Sequence, residues 1–289
     1  MPQAATTGNL ASAQRTIIAT SRYTEEHNAP AMALIEHMTL PKGASTMTVP
    51  KVGQMTLSDL VDGQDIVDEE DIGMTTVDLT SSEVGAKVVL TDKLVRQMNE
   101  DVYRIIGRQF GDASSRKKDT DVHALYSALN GGTTLGVTTA SLTITLLSAC
   151  IAYAKSNKFG SQLYVLHHPN AVYSVVRSGA VTPSATYPVP DGWSADLLKN
   201  FYSGLKPVNG VGLFEDGNLS VNSSSDAIGV IADKSALVVL ESMKTRTERQ
   251  RDASLRATEV VIVADYGVFE LDDSRGAAMT YAAGAIATT

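Results

Sequence analysis

A chain of 289 residues, 43% hydrophobic and 19% charged, can bury a sizeable core and is long enough for roughly two domains at ~150 residues each. Its net charge of −8 argues against a general nucleic-acid reader, because phosphate contacts are made by Lys and Arg, and leaves only local basic clusters for that role. No apolar run approaches the ~20 residues that span a bilayer, and the N-terminus lacks the basic start and apolar core of a signal peptide.

In chain order, residues 1–44 read as an N-terminal arm with two short helical pieces, "ASAQRTIIATSRYTEEHN" and "AMALIEHM" after Pro30. Pro41, Lys42 and Gly43 end it with turn chemistry. Residues 45–90 read as a long hairpin. Met47 and Val49 alternate with threonines on the outgoing side, and Val77, Leu79, Val84, Ala86 and Val88 alternate on the return. Between them lies an acidic tip: Asp62, Asp65, Asp68, Glu69, Glu70 and Asp71. A lone two-stranded ribbon is marginal in water, and the neighbouring sequence offers no strand to support it. A second subunit is therefore the expected support.

A helix follows, with Thr91 as N-cap and Asp92 in its first turn. Leu94, Val95, Met98, Val102, Ile105, Ile106 and Phe110 form one apolar stripe, resuming at Val122, Leu125, Tyr126 and Leu129 until "NGG". Unbroken, it would reach ~60 Å. Helices and strands then alternate. "SLTITLLSACIAYAKSN" is a helix capped by Ser141, and it carries the single cysteine, Cys150, as a buried thiol. One cysteine allows no internal disulfide and fits a reducing cytoplasm. "GSQLYVLHH" is a buried strand, "PNAVYSVVRSG" a helix opened by Pro169, and "SADLLKNFYSG" a third helix. Short strands follow in "VGLFE" and "AIGVIAD", and from residue 235 three strands form a meander.

Two stretches carry a family resemblance: "VDLTSSEVGAKVVLTDKLVRQM", and "GVIADKSALVVLESMKTRTERQRDASLRATEVVIVADYGVFELDDSRGAAM" with its Arg256. In content and order they resemble the major capsid protein of tailed bacteriophages, over about residues 30–282. The resemblance implies an α+β Hong Kong 97-type capsid fold. Its parts would be an N-terminal arm at 1–44, an extended β-hairpin loop at 45–90, a peripheral domain with spine helix at 91–140 and 241–289, and an axial domain at 141–240. It implies a non-enzymatic subunit that assembles as hexamers and pentamers into an icosahedral shell around double-stranded DNA, found in the virion capsid after assembly in the host cytoplasm. Implied partners are further copies of the chain, a portal, packaged DNA held without sequence preference, and room for a decoration protein; no membrane is involved. Only residues 1–44 precede the loop, so scaffolding is expected from a separate protein. An encapsulin-type nanocompartment shell shares the fold and stays open as an alternative.

Sites are sparse. His167 and His168 in "HHPN" offer the one hint of a metal-dependent enzyme, but a durable zinc site wants three or four ligands and none stands nearby in sequence. The simpler reading is a strand ending where Pro169 starts a helix. "GVGLFEDG" has Glu215 where a dinucleotide fingerprint needs its third glycine. No catalytic residue, metal or cofactor is expected. The acidic tip reads as a solvated loop, an intersubunit salt-bridge surface or an ion site. The basic run Lys244, Arg246, Arg249 and Arg251 reads as an exposed hairpin or as the receiver of a neighbour's acidic loop. Arg116, Lys117 and Lys118 are expected, with that run, as candidates to face DNA. Lys51 and Lys87 are the loop lysines; neither is at the tip, and no cross-link is expected there.

Overall fold

The structure is a computed structural model that describes residues 30–53, 59, 73–97, 102–179 and 210–286. The acidic tip at 62–71, most of the arm and the "SADLLKNFYSG" helix lie outside the described residues.

The described strands form three sheets. In the first, β1 (Glu36–Thr39), β8 (Leu237–Asp252), β9 (Ala257–Glu270) and β4 (Ser82–Thr91) lie side by side in that order. β8 and β9 are an antiparallel hairpin. Its turn is set by Asp252, whose carboxylate accepts the Ser254 and Leu255 N–H groups while Arg256 takes the left-handed φ of 48°. Alternation along β9 puts Val260, Ile262, Ala264 and Tyr266 on the covered side. Leu90, Leu94, Ile106 and Phe110 close a core over Val260 and Ile262. The last three come from α2 (Asp92–Gln97) and α3 (Val102–Leu125).

The second sheet runs β10 (Gly276–Ala282), β7 (Asp226–Asp233), β5 (Leu163–His167), β6 (Gly212–Glu215). The helices α4 (Ile144–Ser156) and α5 (Pro169–Gly179) cover one face through Leu147, Ile151, Ala171 and Val175. The distal end of α3 and the turn after it join the other: Val122, Tyr126 and Leu129 pack with Tyr164, Leu166 and Val230. Thus α3 contributes to the cores of both sheets. The four-residue α1 (Ala31–Leu34) packs into the same cluster through Ala31.

The third sheet is the hairpin of β2 (Thr46–Val52) and β3 (Met74–Thr80), in register from Thr46↔Thr80 to Val52↔Met74. It is anchored within the chain at two places: near its base Leu79 is fully buried against Val238 and Leu240, and one residue before Val52 the Lys51 Nζ reaches Asp272 at 2.5 Å.

Several sequence expectations change. Residues 82–90 do not continue the free hairpin: they pair with β9 from Ser82↔Tyr266 onward. "AMALIEHM" is a single turn of helix and then a strand parallel to β8, because Met38 faces the Leu79 core while His37 and Thr39 on the opposite face are exposed. Of the expected long helix, α2 and α3 are described while residues 98–101 lie outside the described residues, and α3 at 24 residues spans ~36 Å. Thr143, not Ser141, caps α4: its side chain accepts the Leu146 N–H. The three-stranded meander is two long strands, and β10 at 276–282 joins β7 in the second sheet instead of extending the first. The sheets therefore do not divide at the expected boundary, since part of 241–289 lies with 141–240.

Candidate functional site

Two surfaces and one buried cluster carry the chemistry. The first surface is the distal end of the β2–β3 hairpin. Val52 and Met74 face each other across the strands yet are 58% and 64% exposed. The hairpin is held by Leu79 and by the Lys51–Asp272 pair, yet leaves these apolar groups in water at the far end of its described strands.

The second surface is the outer half of β8. Leu237–Leu240 are buried, but from Lys244 to Arg251 every residue is exposed. The strand runs past the core there, with both faces in solvent. Its cations already have intrachain partners: Arg246 contacts Glu248 at 2.8 Å, and Arg251 grips Asp92 through two hydrogen bonds, the longer 2.7 Å. The guanidinium holds the Asp92 carboxyl below its ordinary range. Lys244 and Arg249 lie on the same exposed stretch. This surface is basic but not bare charge.

The second basic cluster lies on α3. Lys118 is drawn inward to Glu241 at 2.6 Å and stands 5.2 Å from the Tyr266 ring centroid. Lys117 pairs with Asp121 at 2.5 Å, one turn on. Arg116 is exposed on the same helix. An apolar groove of about 300 Å³ opens beside Lys117, between α3 and the β4–β9 face, lined by Val84, Phe110, Ala113 and Ile262. The loop lysines are also engaged, Lys51 with Asp272 and Lys87 with Glu259 at 2.7 Å.

His167 and His168 serve the strand-to-helix junction. The His167 Nδ1 accepts the His168 N–H at 2.9 Å, and the His168 Nδ1 accepts the Asn170 N–H at 3.2 Å. Each imidazole thus satisfies a main-chain donor where α5 begins. Burial pushes the His167 pKa down to about 4, so the ring stays neutral.

A different cluster gathers metal-capable groups. Asp119 and His123 share a face of α3 at i, i+4, and Asp216, from the turn after β6, meets them. The His123 Nε2 lies 3.2 Å from Asp216 Oδ2 and 3.6 Å from Asp119 Oδ2. Both aspartates are fully buried. The Asp216 Oδ1 accepts the Asn218 N–H at 2.8 Å, which turns Oδ2 toward His123, and Asn218 donates to Asp119 Oδ2 at 3.0 Å. Burial, reinforced by Asp216, lifts the Asp119 pKa to about 6. Burial also opposes ionisation of Asp216, but His123 and the proton on Asp119 outweigh it and hold that carboxyl low. Asp119 and His123 have a legible helical spacing; Asp216, almost a hundred residues away, sits in a stretch read only as a turn.

The comparisons with known proteins agree with this architecture. The sequence pattern described as "Phage capsid protein" matches residues 75–280. No curated protein matches the chain by sequence. The fold is similar to the capsid structure of Cyanophage P-SCSP1u, with a TM-score of 0.63, 16% identity and 87% of each chain covered. It is similar to Mycobacterium phage Adephagia at TM-score 0.64 and 11% identity, over 99% of this chain and 96% of that one. It is also similar to the holo-SrpI encapsulin complex from Synechococcus elongatus, at TM-score 0.63, 11% identity and 89% of each chain. A hairpin that leaves apolar residues exposed, a helix shared between two sheet cores and a match across most of the length lead to one conclusion: the chain belongs to the phage capsid protein family and has the Hong Kong 97-type fold.

Proposed function

We propose that this capsid shell protein assembles as hexamers and pentamers into an icosahedral shell that encloses phage double-stranded DNA. The observation that carries the reading is the β2–β3 hairpin, whose base is packed at Leu79 while Val52 and Met74 stay exposed at its far end. A ribbon with apolar residues in water gains by lying on another subunit. In this reading the acidic stretch Asp62, Asp65, Asp68, Glu69, Glu70 and Asp71 rests on a neighbour's exposed β8, near Lys244, Arg246, Arg249 and Arg251. One exposed ion pair contributes only ~0.2–1 kcal/mol, but repetition around a shell lets such pairs set register. On α3, Arg116, Lys117 and Lys118 are the cations that meet DNA in this reading. The peripheral and axial domains correspond to the first and second sheets, with β10 reassigned to the second. A separate scaffolding protein and a portal complete the assembly, which takes place in the host cytoplasm.

Reversing Asp68, Glu69 and Glu70 to Lys tests the contact. Sedimentation at low salt is expected to show subunits or small oligomers in place of shells; unchanged shell yield overturns the salt-bridge reading. The encapsulin-type alternative is favoured by the similarity to the SrpI encapsulin. Nuclease-protected DNA inside purified shells supports the phage reading, and protein cargo without a genome supports the alternative.

A further inference from the structure

We propose that Asp119, His123 and Asp216 form a divalent-metal site of the zinc class that pins α3 to the turn between β6 and β7. Donor geometry is the first argument. In a tetrahedral site with ligand bonds of ~2.0–2.1 Å, neighbouring donor atoms lie about 3.4 Å apart. The His123 Nε2 sits 3.2 Å from one carboxylate oxygen and 3.6 Å from the other.

Unspent bonding capacity is the second argument. Among the described residues, Asp119 Oδ1, Asp216 Oδ2 and the His123 Nε2 are buried without a hydrogen-bond partner, as is the hydroxyl of Tyr126, whose ring lies 5.3 Å from that of His123. Orphaned buried polar atoms are costly, and a cation that accepts several lone pairs at once would satisfy the imidazole and carboxylate atoms together. Charge points the same way, since two buried carboxylates carry −2, which a divalent cation cancels inside the protein.

The donor set selects the class of ion. Ca²⁺ and Mg²⁺ favour six or more oxygen ligands, which this site lacks. Imidazole with carboxylates suits Zn²⁺ and its first-row neighbours. Asn218 steadies both carboxylates, its side-chain amide donating to Asp119 Oδ2 and its backbone N–H to Asp216 Oδ1, as outer-shell groups do. The His123 Nδ1 has no such support, which places the site among the weaker zinc sites. An ion here would clamp the helix that serves both cores to an edge of the second sheet.

The test strips the purified full-length chain with a chelator and titrates it with Zn²⁺ by calorimetry. One Zn²⁺ per chain is expected, with affinity falling at least ~10-fold in His123→Gln and in Asp216→Asn, and unchanged in the exposed His37→Gln. Zn²⁺ should raise the melting temperature of the wild type but not of the Asp119→Asn/Asp216→Asn double variant. That variant keeps the shapes, removes both buried charges and still decides the matter if single variants misfold. No stoichiometric binding, or undiminished binding in a folded variant, overturns the proposal.

Discussion

His167 shows how one buried side chain writes a pH dependence into the subunit. Its folded pKa of about 4 lies below the ordinary 6.5 because burial disfavours the charged ring. The unfolded chain takes up a proton near pH 6.5 that the folded chain refuses until about 4, so acid favours unfolding across that window. The loss approaches about 3 kcal/mol once the pH reaches the lower value. Asp119 acts in the opposite sense, since its raised pKa favours the folded state more as the pH falls from about 6 toward 3.8. The difference between wild type and His167→Asn isolates the histidine. In urea unfolding of free subunits, the wild type's advantage should shrink steadily from pH 7 to pH 4. Next to this ring, a Cβ on Gly229 would collide with His167 and come 2.5 Å from the Leu166 carbonyl oxygen. Gly229→Ala should therefore destabilise the subunit by ~1–3 kcal/mol in the same assay. The adjacent histidines were visible in the sequence and their modest role was read from Pro169, but their part as main-chain acceptors needed coordinates. Asp216 was beyond reach, because a fold, not a spacing, brings it to α3.

At the scale of elements, strands with one covered face were legible and strands with none were misread. β9 alternates buried and partly exposed residues over most of its length, and its extended character was plain. The run "ESMKTRTERQRD" has no alternation because its outer part is exposed on both faces, so it read as an exposed hairpin although β8 continues through it as one strand. The β2–β3 hairpin was recognised, but its base was not, because Leu79 meets residues some 160 positions away. Its far end yields a prediction of its own. The double substitution Val52→Ser, Met74→Ser should leave subunit unfolding within ~0.5 kcal/mol of wild type, as expected of exposed positions. The same variant should lose shell formation by sedimentation, which separates an assembly contact from a folding contact.

Across the whole molecule, the order of elements carried most of the fold and their allocation to sheets did not follow from it. Nothing local in "GAAMTYA" says which sheet it joins; small residues suit either, and only the fold places it against β7. That placement bears on when a subunit becomes usable. Ala277, Met279 and Tyr281 fill the core beneath α4 and α5, so the second sheet stays incomplete until the ribosome has delivered residue 282. A chain ended at Arg275 should form inclusion bodies instead of soluble subunits, as fractionation of expressing cells would show. The strand made after all the other described ones thus acts as a timer: a nascent chain cannot complete its second sheet until residue 282 has been made, and fragments from translation interrupted before that point are excluded by the same rule.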